Sequence, residues 1–365
     1  MRIVHVYKDS FPPVFGGIEQ HVSLLAERQA QRGHAVEVLT AGVRNGSIQR
    51  SEHGGVRFTR LPEVCRFASS PVTLAFVRTL RHTPADVVHF HHPNPIGEIA
   101  EQLMPASAAR IVSYHADITR QRVLGPAYRP SLVRFLRRAD AVIVHSPPLM
   151  QSSQVLREIG DHVSVVPYGI APPGSASEDR VRGRMLFVGR LREYKGLPVL
   201  LSALAQLPEA HLRIIGRGPM MGTVKERTAE LGLTKRVQFP GHVSPEALDR
   251  EYRQATALIL PSIRRSEAFG LVLAEAMARG TPAISTELQT GTSWVNQHGH
   301  SGFVVPHSDA DALAAACREL LESEAVWRRC SRGARERSQL FDAEAMTTEV
   351  LSVYAAAVRA RGDAL

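Results

Sequence analysis

Pro261-Ser262-Ile263-Arg264-Arg265-Ser266-Glu267-Ala268-Phe269-Gly270-Leu271-Val272-Leu273-Ala274-Glu275-Ala276-Met277-Ala278-Arg279-Gly280 is the stretch from which the rest of the chain is read. An apolar strand, Ala255 to Leu260, runs into a polar loop, and the loop into a short apolar helix that begins near Gly270 and stops at Gly280 with Pro282 behind it. Glu267 therefore sits just before a helix and Glu275 inside it. Eight residues of helix rise roughly 12 Å, too far for two carboxylates to flank one bond as acid and base. They address two different parts of an extended ligand. Between them lie the free amide groups of the helix start, around Ala268, Phe269 and Gly270, at the positive end of the helix dipole, which suits a phosphate. A ligand presenting hydroxyls, then phosphate, then hydroxyls again is a nucleotide sugar. The plainer alternative makes Glu267 a helix cap and Glu275 a solvated helix residue.

With 365 residues the chain is long enough for two domains, each able to bury its own core. Apolar residues at 44% and charged residues at 22% are those of a globular protein. A formal net charge of +9 favours an anionic partner: nucleotide phosphates, an anionic membrane surface or nucleic acid. Three scattered cysteines, Cys65, Cys317 and Cys330, fit a reducing compartment and neither a disulfide framework nor a zinc site. No apolar run approaches the ~20 residues that span a bilayer, and Met1-Arg2-Ile3-Val4-His5-Val6 reads as a strand rather than a signal peptide. A cytoplasmic protein is expected, with a peripheral place on the inner face of the cell membrane.

Short apolar runs alternate with amphipathic helical stretches along the first half. Ile3 to Val6, Val36 to Leu39, Asp86 to Phe90, Ile111 to Tyr114, Ala141 to Val144 and Val163 to Val166 read as buried parallel strands. Helical patterns such as Val22, Leu25, Ala26 and Gln29 before Gly33 separate them, which makes a doubly wound α/β sheet. The loop Pro167 to Arg182, with Pro172, Pro173 and Gly174, breaks the pattern. It leaves residues 1–167 as a first domain, 168–182 as a linker and 183–342 as a second domain. In the second half the strands are Leu186 to Val188, Leu212 to Ile215, Val237 to Phe239, Ala257 to Leu260, Ala283 to Ser285 and Phe303 to Val305.

Glu267 and Glu275 with Ala-Phe-Gly between them resemble the E-x7-E signature of retaining glycosyltransferases of the GT-B fold, family 4, and the likeness covers nearly the whole chain. The resemblance implies two Rossmann-like doubly wound parallel-sheet domains with a ligand cleft between them. It also implies a last helix, residues 343–365, that crosses back to the first domain. In that family the first Glu contacts hydroxyls of the donor sugar and the second binds the nucleotide ribose, which gives those roles to Glu267 and Glu275, with Ala268, Phe269, Gly270 and Leu271 on the donor.

Further constellations fit the same expectation. Gly16-Gly17 follows the first strand and opens a helix, where paired glycines let backbone approach a ligand; in Phe-Gly-Gly-Ile-Glu-Gln-His the pair resembles the family's glycine loop beside the donor phosphate and the acceptor. Arg190 and Lys195, five residues apart at a strand end, can converge on a diphosphate and resemble the family's R-x4-K element, whereas Arg192 reads as surface. Gly216-Arg217-Gly218-Pro219 lacks the third glycine of a dinucleotide fingerprint, so NAD is rejected. In the family that loop and Gly241-His242-Val243 border the base, through Gly216 and Val243. His115 at a strand end resembles the cleft histidine that faces the transferred sugar, and Asp117 nearby is placed to hold it or to touch the acceptor.

His89, His91 and His92 invite a metal reading. His89 and His91 share a strand face but His92 does not, and no Cys or carboxylate stands near in sequence, so no metal or other cofactor is expected. Arg120, Arg122, Arg129, Arg134, Arg137 and Arg138, interleaved with Leu132, Val133, Phe135 and Leu136, are either a solvated helix face or a platform for an anionic membrane that holds a lipid-linked acceptor. Nothing in the chain reads nucleic acid. The implied reaction moves a hexose from a nucleoside diphosphate sugar to an acceptor hydroxyl of a glycan or lipid with retained configuration. The stretch around His115 and Thr290-Gly291-Thr292-Ser293-Trp294-Val295-Asn296 resembles the bacterial mannosyl- and rhamnosyltransferases of polysaccharide assembly and favours GDP-mannose over a UDP-sugar. The latter sequence departs from the common family pattern, a Gly-Gly pair and a Glu at that place. A GT-B epimerase, a phosphorylase and a sugar-nucleotide-binding scaffold are the rival readings.

Overall fold

A computed structural model describes residues 1–10, 14, 16–44, 46–67, 70–73, 75–101, 107–118, 124–160, 162–173 and 180–362. The chain forms two compact units, Met1–Gly169 with Ala343–Leu365, and Ile170–Asp342.

The first unit contains β1 (Arg2–Val6), β2 (Ala35–Arg44), β3 (Gln49–His53), β4 (Val56–Glu63), β5 (Cys65–Phe67), β6 (Ser70–Val72), β7 (Val87–His92), β8 (Ala109–Tyr114), β9 (Ala141–Val144) and β10 (Val163–Val165). Eight of these build one sheet in the order β10-β9-β8-β7-β1-β2-β4-β3, while β5 and β6 pair separately. Neighbours in the large sheet run parallel except β3 against β4. Neither strand of that hairpin was anticipated: all five residues of β3 are exposed and carry no apolar period, while β4 buries Val56, Phe58 and Leu61.

Helices cover both faces of this sheet. On one, Ile3, Val87, Ile111 and Ile143 meet Val22, Leu25 and Ala26 of the helix Gly17–Gln31 and Met346, Val350 and Tyr354 of the helix Ala343–Gly362. The opposite face carries Val4, Val88, Phe90 and Val112 against Leu132, Phe135 and Leu136. The last helix is tied to the unit by Glu344, which pairs with Arg28 and Arg32 at 2.8 and 2.7 Å, and by Arg361, which donates to Asp140 at 2.7 Å.

The second unit is a single parallel sheet of β11 (Arg184–Val188), β12 (His211–Ile215), β13 (Val237–Gly241), β14 (Ala257–Leu260), β15 (Ala283–Glu287) and β16 (Gly302–Pro306). Their order is β13-β12-β11-β14-β15-β16, so the winding reverses between β11 and β14. Loops leaving the carboxyl ends of strands at such a reversal are where open α/β sheets bind ligands.

Twelve strands expected from apolar runs are present, with ends shifted by a residue or two except at β2, which runs five residues past the expected Leu39. The stretch expected as linker is partly ordered core. Tyr168 is buried in the first unit, and Ile170 bridges to Asp342 in the second. Gly174 and the serines behind it lie outside the described residues.

Candidate active site

At the reversal point two loops of the second unit are pressed together. The loop after β11 turns through Glu193–Lys195 to Gly196, which has φ +67° and stands so close to the loop after β14 that a β-carbon would lie 2.0 Å from the Pro261 carbonyl oxygen. Only glycine fits, because any side chain would strike backbone. Ile263 N donates to the Tyr194 carbonyl at 2.8 Å across the same contact. The result brings Lys195 to Glu267: Nζ donates to Oε2 at 2.5 Å, and Ser262 Oγ donates to the same oxygen at 2.9 Å. Both side chains are about nine-tenths buried. Burial by itself would lower the Lys195 ammonium; the Glu267 charge and Tyr194 outweigh it, and its pKa ends raised.

Glu267 is also fixed through its backbone. Thr290 Oγ1 donates to its carbonyl at 2.8 Å, and Gly291 N to the Ala268 carbonyl at 2.8 Å, so the loop after β15 holds the turn that precedes the helix Leu271–Ala278. Gly270, at φ +80°, opens that helix without a side-chain cap, which leaves its first-turn amides unspent on capping. Phe269 is buried against Phe341 and Trp294. Glu275, partly buried, accepts from Tyr252 Oη at 2.5 Å, and burial raises its pKa against the opposing pull of Tyr252 and Arg279.

Toward the β13 edge the loops lie just as close. A β-carbon on Gly216 would come 2.0 Å from the Gly189 carbonyl oxygen, and Gly216 N donates to Gly241 O at 2.8 Å. Arg190 and Arg217 are exposed, and neither forms an ion pair among the described residues. The Arg217 guanidinium lies beside Gly241, its Nε 3.7 Å from where a β-carbon would be. Val243 stands half-buried beyond it. From β13 to β14 the sheet edge thus offers Gly241 and Val243, then Arg217, Arg190, Lys195 and Glu267.

The first unit departs more from expectation. His115 is fully buried, with Nδ1 2.5 Å from Tyr168 Oη and Nε2 3.0 Å from His91 Nδ1, so both ring nitrogens are engaged. Asp117 does not hold it; its Oδ1 accepts from Tyr114 Oη and Ser153 Oγ, each at 2.7 Å. At Gly16-Gly17 a β-carbon on Gly16 would lie 2.2 Å from Glu19 Oε2, so a carboxylate already stands at the positive end of the helix Gly17–Gln31. That is an anion where the expected phosphate would need to sit. Phe15 of this motif lies outside the described residues.

The premises of the metal reading also change. A carboxylate does stand beside His92, whose Nδ1 is 2.8 Å from Glu98 Oε1. Among the described residues His5, His89 and His91 bring ligand-type nitrogens within 4.8 Å of one another. All six of their ring nitrogens are in hydrogen bonds within the unit. Of the arginine run, Arg120 and Arg122 lie outside the described residues. In the helix Leu124–Arg138, Leu132, Val133, Phe135 and Leu136 are core, Arg134, Arg137 and Arg138 are exposed, and Arg129 pairs with Glu158.

Residues 177–337 match the family model "Glycosyl transferases group 1" and residues 16–169 the model "Glycosyl transferase 4-like domain". Among curated relatives, the O-antigen chain mannosyltransferase C of Escherichia coli is 32% identical over 97% of this chain and 98% of its own. The D-rhamnosyltransferase WbpZ of Pseudomonas aeruginosa is 35% identical over 94% and 93%. The chain is a glycosyltransferase. It belongs to the group 1, family-4-like enzymes, and the glycosyltransferase has the GT-B fold. Sucrose-phosphate synthase from Thermosynechococcus elongatus, 23% identical, superposes with a TM-score of 0.82 over 98% of this chain and 99% of that one. The HepE protein of Anabaena in complex with UDP and glucose, 18% identical, gives 0.77 over 98% and 100%.

Within the glycosyltransferase's second unit the fold brings Lys195 and Glu267 into contact, with Arg190 on the same loop after β11. Sequence reading missed Ser262, Thr290, Tyr252 and Tyr168, each of which fixes a residue that it did name. No local pattern marks them, since their partners are 5 to 53 residues away. Among the described residues no helix is long and apolar enough to cross a membrane.

Proposed function

We propose that this glycosyltransferase moves a hexose, mannose in preference, from GDP-mannose to a hydroxyl of a glycan or lipid-linked acceptor in cell-envelope polysaccharide assembly, with retained configuration and without a metal ion. The observation that carries the reading is the buried Lys195–Glu267 pair at an uncapped helix start, with Arg190, which forms no ion pair among the described residues, on the same loop as Lys195. Charge accumulates on the departing diphosphate, and groups fixed in advance where it grows lower the barrier. Lys195, Arg190 and the amides around Phe269 and Gly270 take that part. Glu267, oriented by Lys195 and Ser262, holds sugar hydroxyls, and Glu275, oriented by Tyr252, holds the ribose.

The guanine preference draws support from Arg217. An arginine fork matches the O6 and N7 acceptors of guanine, and uracil has no N7. In the first unit His115 is the group assigned to the transferred sugar, and a hydroxyl reaches its ring by replacing Tyr168 or His91. The name of one relative, the O-antigen chain mannosyltransferase C, supports the acceptor class. Approach to an anionic membrane at Arg134, Arg137 and Arg138 would be electrostatic, because the apolar residues of that helix are core.

The test is turnover of labelled GDP-mannose against UDP-sugars by the full chain, on envelope lipid extracts and with EDTA present. Labelled mannose passing to an acceptor in the α configuration of its donor supports the reading. Sugar returned still on its nucleotide, or turnover confined to UDP-sugars, overturns it.

A further inference from the structure

Four of the seven buried histidines of the first unit, His5, His89, His91 and His115, join into one directed chain of hydrogen bonds, and its direction is set at one residue. Gln29, buried on the helix Gly17–Gln31, places its carboxamide Oε1 2.8 Å from His5 Nε2, while its Nε2 donates to Tyr354 Oη at 3.3 Å. An amide oxygen only accepts, so His5 carries its proton on Nε2. Burial lowers the His5 pKa to about 4 against the opposing hydrogen bond from Gln29, and burial likewise lowers His89, His91 and His115, so these rings are neutral. A neutral ring with Nε2–H has a bare Nδ1. His91 Nε2, 3.0 Å away, must then be the donor to His5 Nδ1.

The same count passes along the chain. His91 Nδ1 is bare and accepts from His115 Nε2 at 3.0 Å; His115 Nδ1 is bare and receives the Tyr168 hydroxyl at 2.5 Å. On the other arm Tyr354 Oη, accepting from Gln29, donates to His89 Nδ1 at 2.5 Å, and His89 Nε2 donates to Ser113 Oγ at 2.9 Å. Turning the Gln29 carboxamide by half a revolution would reverse every donor on both arms.

We propose that Gln29 is a positioning residue that fixes His115, through His5 and His91, as the Nε2–H tautomer. The consequence for chemistry lies at Nδ1. A ligand hydroxyl that takes the place of Tyr168 meets an acceptor nitrogen there, whereas the reverse tautomer would present N–H. This part rests on the reading in which His115 serves the transferred sugar.

The experiment is ¹⁵N spectroscopy of histidine ring nitrogens in the full chain, wild type and the variants Gln29→Met and Gln29→Glu, together with turnover. In the wild type His5, His91 and His115 are expected with bare Nδ1 and protonated Nε2. Gln29→Met removes the acceptor, so His115 shows mixed or reversed tautomers and turnover falls about tenfold or more, as wrong-tautomer histidines do. Gln29→Glu keeps an acceptor on His5, keeps His115 as Nε2–H and retains most turnover. A wild-type His115 protonated on Nδ1, or an unchanged His115 in Gln29→Met, overturns the proposal. The wild-type spectrum decides the direction even if the methionine variant does not fold. Scrambled tautomers with undiminished turnover would leave Gln29 setting the tautomer and remove His115 from the transfer instead.

Discussion

The two units spend their polar groups in opposite ways. In the first, seven histidines are buried and six of them stack or touch edge to edge with one another and with Tyr7, Tyr168 and Tyr354, most of their ring nitrogens satisfied from inside. In the second, all five histidines are exposed, and the buried Lys195–Glu267 pair shares the sheet edge with Arg190 and Arg217, which no carboxylate neutralises among the described residues. A network closed on itself specifies a core, and the cost of breaking it is high. Cations left without partners over close-packed glycine loops are instead ready for an anion.

Acid should separate the units most sharply. His5 and His145 have folded pKa values lowered to about 4 and about 3 by burial, and His21, His89, His91 and His115 lie well below the usual value for the same cause. Below about pH 6.5 the unfolded chain therefore binds more protons than the folded one. The stability these rings contribute is present above that pH and is lost as pH falls from about 6.5 toward 4, by several kcal/mol in sum. Both tryptophans, Trp294 and Trp327, belong to the second unit, so their fluorescence should lag behind the loss of first-unit histidine signals on acidification. Coincident loss, or a first unit intact at pH 4, would erase the contrast.

Lys195→Ala comes next. On the proposed reading it takes away a cation that serves the leaving group, and turnover should drop about 10²–10³-fold. It also strands the buried Glu267 carboxylate, so the melting temperature should fall as well. Turnover within about threefold of wild type would remove the pair from the chemistry. Arg217→Ala carries the smallest effect, about tenfold weaker GDP binding with UDP binding little changed, read by calorimetry. Equal weakening of both would move Arg217 from the base to the phosphates.

Where pattern repeats locally, residues disclosed the architecture before any coordinates. Apolar runs marked twelve strands, Gly270 and Gly280 bounded the helix that carries Glu275, and the spacings of Glu267 with Glu275 and of Arg190 with Lys195 pointed to a nucleotide sugar. The exposed edge strand β3 escaped because an edge strand needs no apolar face, whereas β4, with Val56, Phe58 and Leu61 in the core, was missed despite its buried side chains.

What sequence determined by itself was therefore the alternation of strands and helices and the family of the chain, since both depend on residues near one another or in a repeated order. Tertiary structure alone decided which polar groups are spent and which are left over. Glu267 meets Lys195 across 72 residues, Gln29 meets Tyr354 across 325, and Asp117 turns to Tyr114 and Ser153 rather than to His115. A buried hydrogen bond is a fact of distance and direction in space, and sequence separation carries no trace of either.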